Sequence, residues 1–132
     1  MPGKVAKRLR GYWQMEAANV VLLPVSACIV VPSLEGTVDL VLLISLVANA
    51  VLLTIGACYW RITLLRIEGD EAPFTKWLPR LGNLQPVAIL MTCLTSAVTL
   101  ADLVTGDGAW PTQRIASIGM TALCVLEYFN YY

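Results

Sequence analysis

Ionisable and amide side chains inside apolar stretches are the first candidates for chemistry, because each is costly at membrane depth unless it is paired or used. They fall into three layers. Glu16 and Asn19, three residues apart, share a helix face. Arg61 ends the second apolar stretch, Gln85 opens the third, and Glu127 and Asn130 close the fourth at the same depth. A Glu16–Arg61 or Glu127–Arg61 pair would satisfy both charges as a structural clasp, with Arg61 snorkelling to the headgroups. The alternatives are a carboxylate that couples protons or ions, and docking to a partner subunit. Asn49, with Ser45 one turn before it, forms the middle layer, where an amide must find a partner across a helix interface or serve an oligomer contact or a pore. The third stretch carries Ala88, Thr92, Thr95, Ser96, Thr99 and Asp102 at three- and four-residue steps. That stripe reads either as a packing seam or, repeated around an axis, as a hydroxyl-lined path with an acidic mouth of Asp102 and a nearby Asp39. A weaker row of Ser117, Thr121, Cys124 and Tyr128 favours packing, since two such faces can close on each other.

Other chemistries lack their residues. Histidine is absent, which removes the commonest general base and metal ligand. No phosphate-cradling glycine loop, nucleophile elbow or zinc-protease motif is present. Cys28, Cys58, Cys93 and Cys124 fall one to each apolar stretch, without C-x-x-C spacing, so they are expected to pack as small apolar groups. Neither a cofactor nor a metal is expected, and no enzymatic role. Nine basic residues balance nine acidic ones, so no basic excess points to nucleic acid.

These residues need helices to hold them. The 132 residues are 58% hydrophobic and 14% charged, with a mean hydropathy of +0.70. Soluble domains are nearer 45–50% apolar and about 25% charged, and a chain this short cannot hide the excess in a core. Four stretches, about 13–32, 38–60, 86–104 and 111–128, each approach the roughly 20 residues a membrane crossing requires. The links 33–37 and 105–110 are short and rich in Gly and acid, which favours antiparallel neighbours. The expectation is one all-α transmembrane domain, residues 1–132, a polytopic four-helix up-down-up-down bundle.

Eight of nine basic residues fall before the first stretch or between the second and third; only Arg114 lies elsewhere. The positive-inside rule then places both termini in the cytoplasm, of a bacterial inner or other plasma-type membrane. All aromatics except Trp110 map to that same side. The inner connection 67–83 carries Phe74, Trp77, Leu78 and Leu81 at helical spacing, as a segment on the headgroups would; Pro79 leaves an irregular loop as the alternative. Val25, Ser26, Ala27 and Cys28 resemble a lipoprotein cleavage box, yet the apolar run continues through Val31, so an uncleaved span is expected. Residues 127–132 carry no stop signal, so the fourth helix is expected to project into the cytoplasm or to continue in a longer chain.

The four-span size and the glutamate early in the first helix resemble small multidrug-resistance transporters. The one-sided charge and the lack of that group's glycine and aromatic patterns set this chain apart. Two functions are expected. One is a small non-enzymatic membrane subunit or oligomerisation module, acting through helix packing and cytoplasmic-side docking within a homo-oligomer or larger membrane-protein complex. The other is a small homo-oligomeric ion channel or transporter lined by the third helix.

Overall fold

A computed structural model describes residues 2–106 and 108–132. Asp107, within the expected outer link, lies outside them. Among the described residues the chain forms five helices and no strand: α1 (Pro2–Glu35), α2 (Leu40–Ile67), α3 (Ala72–Gly82), α4 (Gln85–Thr105) and α5 (Thr112–Tyr131). α1, α2 and α4 are long and apolar enough to cross a membrane, which indicates a membrane protein. α5 falls below that measure because its polar residues sit at both ends, Gln113 and Arg114 at one and Glu127, Asn130 and Tyr131 at the other.

The helices run past the expected stretches at the basic end. α1 continues through Pro24 and Pro32 and includes the whole basic leader, 34 residues in all, or about 51 Å at helical rise. α2 runs beyond Trp60 to Ile67. An exposed pair, Arg10 Nη2 to Glu68 Oε1 at 2.7 Å, ties the start of α1 to the end of α2. At the opposite end Ala27 and Val31 of α1 pack with Leu42 and Leu46 of α2, so the two helices are antiparallel. Their link is tight. Gly36, at φ +79°, reverses the chain, a conformation costly for residues with a Cβ. Asp39 then caps α2, accepting from Leu42 N–H at 2.7 Å, which satisfies an otherwise orphaned donor.

α2 is apolar on every side, as a central helix must be. Of its most apolar stretch 56% is buried, against 6% for that of α1. A core of Ala48, Leu52, Ile55, Ala88 and Cys124 joins α2, α4 and α5. Small residues at 48, 88 and 124 let the three backbones approach closely.

The connection 67–83 contains α3, and Pro79 sits inside it without ending it. Arg66 lies 4.3 Å over Phe74 and Arg80 4.7 Å over Trp77. The end of α5 does not project free of the fold: Tyr132 donates its hydroxyl to Leu81 O at 3.0 Å, fastening α5 to α3.

Candidate functional site

The hydroxyl stripe of α4 faces inward, toward α2 and α5. Ser45 Oγ lies 2.8 Å from Thr95 Oγ1, and Thr121 Oγ1 lies 3.2 Å from Thr95 and 2.8 Å from Thr99. Ser45 also meets Thr121 at 3.4 Å and donates to Val41 O at 3.0 Å. One turn on, Asn49 Nδ2 donates to Ser45 O at 2.9 Å and across the interface to Met120 O at 2.7 Å. Ser45, Asn49, Thr95, Thr99 and Ser117 are all buried. Three helices are therefore joined by one neutral hydrogen-bonded seam. Thr92 and Ser96 stand beside it, half-buried, and bond back to Ala88 O and Thr92 O of their own helix at 2.8 and 2.7 Å.

The acidic mouth is absent from this arrangement. Asp102 Oδ2 accepts from Arg114 Nε at 2.8 Å, with both side chains largely buried, and Arg114 Nη1 also donates to Ala109 O. Gly106 leaves the space the guanidinium uses, since a Cβ there would meet Arg114. Asp39 is committed to its cap. The reason is sequence proximity: a twelve-residue return brings Arg114 back to Asp102, so the one basic residue at this end neutralises the acid.

The layer at the basic end is divided between two places. Glu16 is 6% exposed, and its Oε1 accepts from Trp60 Nε1 at 2.7 Å. Around Gly56 the Tyr131 hydroxyl and Glu16 Oε2 come together, and a Cβ on Gly56 would meet both. Glu127 approaches the same tyrosine. Glu16 Oε2, Glu127 Oε2 and Tyr131 Oη are buried with no well-formed hydrogen bond. Asn19, Asn130, Tyr12 and Met15 join Glu16, Trp60 and Glu127 around an open groove of about 370 Å³.

Arg61 is not in that groove. Among the described residues it pairs with neither glutamate, and its guanidinium lies 5.2 Å over the Trp13 ring. Successive helical residues diverge by about 100°, so the turn that aims Trp60 at Glu16 aims Arg61 away from it. The expected Glu16–Arg61 and Glu127–Arg61 clasps are replaced by an indole–carboxylate bond and a cation–π contact. Gln85 is exposed at the start of α4, outside the groove. Gly56, Trp60 and Tyr131 join the layer beyond the expected set. Glu127 and Tyr131 stand at i and i+4 on one face, which is the signal that could have found the tyrosine.

The cysteines also divide. Cys124 is in the core, whereas Cys28, Cys58 and Cys93 are exposed on outer faces; core packing therefore holds for one of the four. Among the described residues no cluster of Cys, Asp and Glu has metal-site geometry.

Two substitutions separate these features. Thr121→Val keeps the volume but removes the hydroxyl shared by three partners, and is expected to destabilise the fold by about 0.6–2 kcal/mol. Ser96→Ala breaks only a bond within α4 and should stay within about 0.5 kcal/mol. Gly56→Val should cost about 1–3 kcal/mol through overpacking against Tyr131 and Glu16, while Gly119→Ala, where a Cβ meets nothing, should cost nothing. Thermal unfolding in detergent measures all four; equal effects within either pair would contradict the packing described. Comparison with protein families, curated proteins and solved structures returns no match to this chain.

Proposed function

We propose that the chain is a small integral membrane subunit without enzymatic activity: a four-helix up-down-up-down transmembrane bundle, both termini cytoplasmic, that docks to a larger partner from its cytoplasmic side. The observation that carries this reading is the paired extension of α1 and α2 at the basic end. Both helices continue past the Tyr12, Trp13, Tyr59 and Trp60 belt, held together by the Arg10–Glu68 pair, and they present Lys4, Val5, Lys7 and Arg8 as exposed side chains. Such a stalk offers a surface to a partner beyond the headgroups. Its charge supports the orientation by the positive-inside rule. Antiparallel α1–α2 packing and the short 105–110 link support the topology.

The polar interior agrees. The seam hydroxyls bond to one another, and Asp102 is neutralised. What the bundle presents to its surroundings is apolar: Val21, Leu22, Val25, Ile29, Val30 and Leu34 of α1 are all exposed, the surface a lipid bilayer or a neighbouring helix covers. A second reading, a small homo-oligomeric channel or transporter, is favoured by one observation only, the buried Glu16 and half-buried Glu127 beside an open groove. Its lining by the α4 stripe has no support from the inward facing of Thr95 and Thr99.

The test is the mass and composition of the complex drawn from its native membrane in mild detergent. A foreign chain in fixed stoichiometry is expected. A homo-oligomer alone would overturn the subunit reading in favour of the second, with liposome flux as its readout; a monomer would overturn both.

A further inference from the structure

A second groove, separate from the one that holds the glutamates, is lined by Arg61. Its volume is about 530 Å³, and Trp13, Ala57, Ile62, Trp77 and Leu81 form its apolar wall, with Arg61 at the edge. α1, α2 and α3 all contribute, and small residues at 17 and 57 keep it open. Both tryptophans carry a cation on the ring: Arg61 lies 5.2 Å over Trp13, and Arg80 lies 4.7 Å over Trp77. Lys76 is 5.9 Å from the Trp77 ring. Among the described residues none of these three cations has an ion pair. Trp13 Nε1 is a buried donor without an acceptor, and a buried donor of this kind calls for one.

We propose that this groove is a binding site for one anionic phospholipid, the acyl chain lying along the apolar wall and the phosphate held at the rim by Arg61 and Arg80. The chemistry is complementary throughout. Guanidinium groups present forked donors that match phosphate oxygens, and basic pockets between helices on the cytoplasmic side select anionic headgroups. Tryptophans belong at headgroup depth. A zwitterionic lipid would fill the wall equally well but would leave the cations without a net counter-charge. The amphipathic α3 is then one side of the lipid site, which gives the 67–83 connection a role besides joining α2 to α4.

The inference rests on the membrane reading above, so the test begins with alkaline carbonate extraction. Release of the chain from its membrane would sink that reading and the lipid site with it. A chain that stays embedded is purified in mild detergent and offered phosphatidylglycerol and phosphatidylcholine of identical chains, with retained lipid counted by native mass spectrometry. Phosphatidylglycerol should be retained about tenfold better, roughly the selectivity of one charge-assisted contact. The Arg61→Gln/Arg80→Gln double variant should bring the two lipids to parity while keeping wild-type helicity and elution. Lys4→Gln/Lys7→Gln, the same loss of charge away from the groove, should leave the preference intact. Excess inorganic phosphate should not displace the lipid, because it lacks the chain.

Equal retention of the two lipids by the wild type would overturn the site. So would a preference that survives the double arginine change, or one that the lysine change removes equally well, since that would be attraction to net charge alone. Displacement by phosphate would make it an anion site without a lipid. A lipid-free dimer would assign the groove to a second copy. If the double variant misfolds, Arg61→Lys decides: it keeps the charge, loses the fork, and should lower the preference without changing helicity.

Discussion

An amide in the middle of an apolar helix sets the terms for everything packed around it. Asn49 carries two amide donors within the apolar run of α2, costly to leave bare there, and a buried Oδ1 that has no hydrogen-bond partner among the described residues. Its Nδ2 reaches Ser45 O within the helix and Met120 O on α5. The second bond exists at one axial position of α5 only. Once α5 is in that position, Thr121 stands level with Ser45, Thr95 and Thr99, and the hydroxyls close. Apolar contacts among Ala48, Leu52, Ala88 and Cys124 are non-directional and would tolerate sliding; the seam is what fixes the register.

The two ends of the molecule then differ in how charge is settled. At one end Asp102 and Arg114 neutralise each other across a short return. At the other, eight basic residues are available, yet Glu16 accepts from the Trp60 indole instead, and Glu127 lies near Tyr131. The cations there turn outward onto aromatic faces, Arg61 to Trp13 and Arg80 to Trp77. Arg61 and the two glutamates thus line different grooves. Both functional proposals follow from that separation: cations at the rim meet lipid phosphate or a partner, and the carboxylates stay inside.

Much of this was legible in the residues, and what was not has definite causes. The length of the apolar runs located the stretches, because a crossing needs about 20 apolar residues, and α1, α2 and α4 meet that measure. It could not locate the helix ends at the basic side, where α1 and α2 continue as a charged pair that no apolar pattern marks. The α4 stripe was visible as spacing. Whether it faced a path or a neighbour depended on where α5 stood, and only the complementary row containing Thr121 hinted at that. Asp102 looked like a mouth because Arg114 belongs to the next helix, and the spacing along α4 alone does not show that the short return brings it back to Asp102. The Arg61 clasp failed for a rotational reason: residues 60 and 61 point in different directions, and the sequence does not say which of them a neighbouring helix will face. Cys28, Cys58 and Cys93 showed the same indeterminacy, since an apolar stretch alone does not reveal its inner side.

The central claim is that the hydroxyl stripe of α4 is an interior seam of a single chain and not the wall of an aqueous path. Single cysteines at 95 and 99, placed in a chain whose four native cysteines are alanine, test it in intact membranes with a water-soluble maleimide. The account predicts that neither position reacts until detergent or heat unfolds the protein, while a cysteine at exposed position 68 reacts at once. Rapid labelling at both 95 and 99 in a folded protein would contradict it and make the stripe the lining of a path.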